Sequence, residues 1–399
     1  MKPASALAVA FAGWRALPAW QHGLAIALIL LASTLRYLPA LASAEPLGDE
    51  LAQEIAFQLE ASGHSPYVEG SYVYPPSLLR IGAVLHALPL RSPFLPLRCA
   101  SLLGLAVLLW SACAWLAWKP WQRVALAIAL ALLAPGVRQG VEFGNLTFAV
   151  GGLIVPALLV WERLPVASGL LLGASFLLKP LAPAAWVALA FQRPASGHRH
   201  HLAAAVALLA AALPLAADPE IGAFLAHGSH AWVVDRTVSL HRFLSLAHLP
   251  QGATFLMLLL LAGVAVVAHL RIRDRPQLLA VALAGCVTVL PVVWNHTLVL
   301  TLPLQAMAIA LATARYRAAA DRDRRWRGWE AAGIGLAIAA LTFAEGATGI
   351  DDRSVALQVF ATLPPALAPA SLAAYVLRFH DPSTAELPRE LVPPTTGAR

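Results

Sequence analysis

The chain has 399 residues, of which 59% are hydrophobic and 12% charged, with a net charge of +7 and a mean hydropathy of +0.70. A soluble globular domain carries about 25% charged residues, so this composition excludes a water-soluble fold. The basic excess sits in short segments between apolar runs, which is the pattern that orients a membrane protein and argues against nucleic acid as a partner.

Residues 1–20 hold Lys2 and Arg15 and read as a retained cytoplasmic anchor rather than a removed signal. Apolar runs of roughly 17–25 residues then recur, each long enough to cross a hydrocarbon core of about 30 Å. The first spans His22 to Ala42 and leads to an acidic external loop, 43–74. Pro75–Leu90 reads as a second span, with a cytoplasmic turn at Arg91. Further runs lie at 97–118, 124–136, 146–161 and 166–191, followed by the basic stretch 192–201, a span at 202–217 and a second external loop, 218–250. That second loop offers His230, Trp232, Asp235, Arg236, His241 and Arg242 as possible acceptor-site residues. RIRDR (271–275) and the segment Arg315–Arg327 read as cytoplasmic, flanking a hairpin whose external tip is WNHT (294–297). A last hairpin, 329–345 and 355–377, leaves Glu345, Asp351 and Asp352 outside. The expected fold is all-α, a polytopic membrane domain over 1–377 with about 12 membrane segments, and 378–399 as a disordered cytoplasmic tail.

Simple alternation puts Gln139–Asn145 on the cytoplasmic side. A break at Lys179-Pro180, together with one earlier run that fails to cross, moves the same residues outside. The sequence leaves both open.

Five constellations can carry chemistry. Asp49 and Glu50 open GDELAQEIAFQLEASGHSPYVEGSYVYPP, whose Leu51, Ile55, Ala56 and Leu59 recur at helical spacing. A carboxylate there suits a general base; Asp49 equally suits a helix N-cap, and Glu50, Glu54 and Glu60 a solvated face. Tyr67, Tyr72 and Tyr74 fit either an interfacial aromatic belt or a sugar-stacking surface. RQGVEFGN supplies Arg138, Gln139, Glu142 and Asn145 in a glycine-containing loop. Lys179 lies inside an apolar run, where a cation is costly and points to an anionic partner. His296 stands alone at a hairpin tip, suited to a structural imidazole or to a donor toward phosphate. The histidines at 198, 200 and 201 read as part of a positive-inside loop.

An acidic first loop, the SPY turn, YVYPP, the Gly144-Asn145 loop, GLLLGASFLLKP and a late W-x-H hairpin occur in that order. The chain thereby resembles glycosyltransferase family 87, among the GT-C polyprenyl-phosphate-mannose-dependent mannosyltransferases and their relatives. The resemblance runs from Leu47 to Pro303. It departs from the family pattern at Glu50, where an aromatic is common, and at Thr297, where a second histidine often follows the first.

The resemblance implies an inverting sugar transfer on the non-cytoplasmic face of the cell membrane. The donor would be a polyprenyl-phosphate sugar, mannose or a related hexose or pentose, and the acceptor a lipid-linked or polymeric glycan. Asp49, with or without Glu50, would be the catalytic base. Lys179, Arg138 and His296 would hold the donor phosphate, and Tyr67, Tyr72, Tyr74, Gln139 and Asn145 would contact substrate. No metal or other cofactor is expected, because a monophosphate carries less charge than a pyrophosphate and no carboxylate cluster of metal-ligand type is present. The rival reading is a transporter or flippase of a lipid-linked or small anionic substrate, which would gather polar groups near the midplane in paired halves.

Overall fold

The computed structural model describes residues 3–68, 72–193, 197–227, 252–290, 295–342 and 355–380, together with positions 239, 240, 242, 244 and 293. Every regular element among them is a helix. Helix α1 (Pro3–Arg15) meets α2 (Ala19–Arg36) at a 95° bend, and α3 (Leu38–Ala42), α4 (Gly48–Ala61), α5 (Pro76–His86) and α6 (Leu95–Cys113) follow. Then come α7 (Pro120–Leu133), α8 (Pro135–Glu142), α9 (Thr147–Val160), α10 (Pro165–Leu178), α11 (Pro183–Phe191), α12 (Arg199–Ala216) and α13 (Ile221–His227). The last third holds α14 (Gly252–Arg271), α15 (Arg275–Thr288), the single turn α16 (Asn295–Leu298), α17 (Leu302–Ala318), α18 (Asp321–Thr342) and α19 (Val355–Phe379). Many of the prolines stand in first turns, as at Pro76, Pro120, Pro135, Pro165 and Pro183. There the missing amide donor costs little and the fixed φ favours the helix.

The core is a continuous apolar cluster in which α6 packs on α9, α10 on α9 and α12, and α15 on α19. On α2 the arrangement reverses that of a soluble helix. Ala25, Ile29 and Ser33 are buried, while Leu24, Leu28, Leu31 and Leu35 form an outward stripe. Such a stripe is stable against lipid and not against water. Among the described residues three helices are long and apolar enough to cross a membrane, and up to five segments are if each bent pair counts as one. The chain is a membrane protein.

The bundle has two chemically different ends. At one, Arg275 pairs with Glu162, whose carbonyl also accepts from Arg199. Arg275 lies over Phe11, which stacks on Trp115. Asp274 meets His380, while Arg315 pairs with Glu330 and covers Phe379. At the opposite end Asp49, Asn145 and Lys179 come together, and Arg80 binds Asp218 and Glu60.

That second end corrects the expected second span. Helix α5 has 11 residues, about 16 Å of rise, and cannot cross about 30 Å of hydrocarbon. Its length is tied to one end throughout: the Ser77 hydroxyl donates to Leu177 O at 2.6 Å, Arg80 reaches Asp218, and His86 contacts Glu54 at 3.0 Å. The chain from α3 to α6 therefore stays at the Asp49 end. The 166–191 run is interrupted instead, with Lys179 extended (φ −159°, ψ 132°) between α10 and α11. The 138–145 loop lies beside Asp49 rather than opposite it.

The disordered tail expected from 378 falls outside the described residues from 381 onward; α19 continues to Phe379, and His380 is anchored on Asp274 and Gln277. Among the second-loop candidates, His230, Trp232, Asp235, Arg236 and His241 also lie outside the described residues, as do Glu345, Asp351 and Asp352. Arg242 is buried and donates to Gln358.

Candidate active site

Helix α4 starts where its first turn is locked to two other elements. The Asp49 amide donates to Phe143 O at 2.8 Å, and Asn145 Nδ2 donates to the Asp49 carboxylate. Asp49 thus occupies the second helical position, not the N-cap, which is Leu47. Glu50 reaches back to accept from the Leu47 amide at 2.8 Å. The expectation of a solvated Glu50 is overturned, since it is 2% exposed and its two carboxylate oxygens accept from Arg98 Nε and Nη2 at 2.9 and 2.6 Å. Arg98 spends its remaining donors on the carbonyls of Ala40, Ser43 and Glu45. This guanidinium, missed in the sequence, fixes both the approach to α4 and its first turn.

The α4 periodicity is also turned around. Leu51 and Ile55 face outward, whereas Glu50, Gln53, Ala56 and Phe57 face in. A helix lying where lipid meets protein can direct aliphatic side chains away from the core, because the surroundings are apolar too.

Asn145 is the hinge of the polar network. Its Oδ1 accepts from the Thr147 amide at 2.8 Å and from Lys179 Nζ at 3.2 Å, leaving Nδ2 for Asp49. Lys179 Nζ also donates to Thr147 Oγ1 at 3.0 Å and lies 5.8 Å from the Tyr74 ring centre. A carboxylate and an ammonium are thereby held apart by one amide, and Lys179 forms no ion pair among the described residues. Gly144 makes the loop possible: its φ is +68°, and a Cβ would run into the Glu50 carboxylate.

The tyrosines are packed, not arrayed along an interface. Tyr67, Tyr72 and Tyr74 are 0%, 3% and 8% exposed, and Tyr67 donates to Tyr74 O at 2.7 Å. Burial pushes all three phenols well above their ordinary range, with Asp49 adding to the effect on Tyr74. They are protonated at any physiological pH. His296 is buried on α16, which packs against α8, and both ring nitrogens lack a partner among the described residues. Gly140 opens the space for it, since a Cβ there would lie 2.9 Å from the His296 Cβ. Gln139 Oε1 is likewise buried and unpartnered. Arg138 stands apart; it is exposed, with only Glu142 nearby at 3.6 Å, and no hydrogen bond joins it to Asp49, Asn145 or Lys179.

The model of glycosyltransferase family 87 matches residues 72–293, more than half of the chain. The chain belongs to glycosyltransferase family 87. It is a glycosyltransferase, and the family match covers Asn145 and Lys179 but begins after Asp49 and ends before His296. The structure supplies the link to both, through Asn145 and through α8. No curated protein and no solved structure matches the chain.

Within this member of family 87, the Arg98–Glu50 pair gives a prediction. Arg98→Leu leaves a carboxylate buried without its counter-charge, which costs about 3–5 kcal/mol. The expected result is a large fall in melting temperature in detergent. A melting temperature equal to wild type would show that Arg98 does not hold α4.

Proposed function

We propose that this glycosyltransferase moves a sugar, mannose or a related hexose or pentose, from a polyprenyl-phosphate donor to a lipid-linked or polymeric glycan acceptor. The observation that carries the reading is the Asn145 bridge between a carboxylate and an ammonium that has no carboxylate of its own. An unpaired cation among apolar helices suits an incoming phosphate, and a carboxylate one amide away suits a hydroxyl that must lose its proton. His296, whose two ring nitrogens lack a partner among the described residues, would add a second contact on the phosphate side. Arg138, exposed and beside Glu142, is left out of that role.

In the proposed reaction the bond from the anomeric carbon to the phosphate oxygen breaks, and the electron pair leaves with the phosphate. Lys179 stabilises the growing negative charge by a preorganised field. The acceptor oxygen forms the new bond from the opposite face of the sugar, with inversion, and its proton passes to Asp49. Glu50 takes no part in proton transfer, because Arg98 and the Leu47 amide occupy its carboxylate.

Sidedness follows from charge. The end holding Arg199, Arg275 and Arg315 fits the cytoplasmic side by the positive-inside rule, which supports a non-cytoplasmic position for Asp49 and Lys179. With α5 confined to that face and the 166–191 run divided at Lys179, the alternation of the two ends is compatible with about 12 membrane segments, some of them short. The transporter reading is disfavoured by the gathering of these polar groups at one end of the bundle rather than at its middle.

Profiling envelope glycolipids and glycans in a strain lacking the protein tests the reading. At least one species is expected to lose a sugar and to regain it when the wild-type protein is restored. An unchanged profile, with altered movement of an anionic solute, would favour the transporter.

A further inference from the structure

Beside the site, Gln53 joins His296 and Gln139 in holding buried polar atoms without a partner among the described residues. Gln53 lies one turn beyond Asp49 on α4 and is 0% exposed, and neither its amide nitrogen nor its oxygen has a partner among the described residues. The Tyr72 hydroxyl is buried and unpartnered as well. Their neighbours are matched: Tyr67 with Tyr74 O, Glu50 with Arg98, Arg80 with Asp218. Buried polar groups are rarely left unmatched, because nothing replaces the water they lose.

Placement narrows what could match them. Gln53 shares the inward face of α4 with Ala56 and Phe57, and those two pack in one cluster with Tyr72 and Tyr74. The Tyr74 ring in turn lies under Lys179. The amide thus stands one turn from Asp49, and the Tyr72 ring, 5.7 Å from that of Tyr74, leads toward Lys179, on the side assigned above to the donor phosphate and its sugar.

The geometry points to Gln53, assisted by the Tyr72 hydroxyl, as the group that selects the donor sugar through two adjacent hydroxyls. The inference rests on the donor reading above. A carboxamide presents a donor and an acceptor side by side, the complement of a vicinal diol, and the phenol supplies one further bond. A bare prenyl phosphate satisfies none of these atoms. Gln53 is accordingly a specificity-determining residue, whereas Lys179 binds what all such donors share.

The test compares the full-length protein with Gln53→Leu and Tyr72→Phe, measuring affinity for a short-chain prenyl phosphate and for the same lipid carrying mannose, glucose or singly deoxygenated mannose. Wild type is expected to prefer the sugar-bearing lipids. Gln53→Leu should lose about tenfold in affinity for the preferred one and keep its affinity for bare prenyl phosphate, and Tyr72→Phe should lose less. Both variants should melt at or above the wild-type temperature, since each removes an unmatched polar group. Undiminished sugar preference in Gln53→Leu overturns the inference. A lowered melting temperature with unchanged affinities does so too, because it marks a structural amide bound to buried water. Failure of wild type to bind any prenyl phosphate removes the donor reading itself, and wild type that binds all these lipids equally removes the sugar-selecting role alone.

Discussion

Exchange of Asp49 for asparagine is expected to reduce sugar transfer by about 10²–10⁴-fold, the usual contribution of a positioned general base. The change keeps the volume of the side chain and leaves an oxygen able to accept from Asn145. The elements that hold α4 in place, Arg98 with Glu50 and the Asp49 amide with Phe143 O, are untouched. Donor affinity and melting temperature should therefore stay close to wild type while turnover collapses. Transfer of radiolabelled sugar in liposomes, measured beside binding of prenyl phosphate, separates these quantities. Turnover equal to wild type would remove Asp49 from the reaction.

Lys179→Met should act on the other half of the chemistry. The partners of Lys179 are all uncharged, namely Asn145, Thr147 and the Tyr74 ring, so its removal strands no directly paired anion. Methionine replaces the alkyl stem in an apolar setting. Affinity for a prenyl phosphate is expected to fall, and turnover at saturating donor to drop about 10²–10³-fold, the scale of one lost electrostatic stabiliser. Removing uniform binding alone would raise KM and spare kcat; a rise in KM together with a fall in kcat is expected here because charge on the leaving phosphate grows in the transition state. Unchanged affinity for prenyl phosphate would take Lys179 out of the site.

Much of this arrangement was legible before any coordinates. A carboxylate opening a polar loop, a glycine-asparagine turn and a lysine before proline in an apolar run are each uncomfortable in a membrane, and discomfort of that kind is readable one residue at a time. Arg98, an arginine near the start of the 97–118 run, carries the same signal, but its partner Glu50 lies 48 positions earlier and no local pattern joins the two. Helix α5 misled through length, since Ala87–Leu90 extend the apolar run without extending the helix. The facing of α4 was not recoverable from periodicity, which reports where apolar residues cluster and not which side is lipid.

The contact between Asp49 and Asn145 spans 96 positions of the chain. As the protein is made, α4 emerges long before the loop that orients its carboxylate, and Arg98 arrives in between to steady the first turn. A nascent chain thus passes through a stage at which the acidic segment has been made but the loop it docks on has not. On the proposed mechanism Lys179 must follow as well, so a chain stalled before that codon would lack the group proposed to hold the donor phosphate.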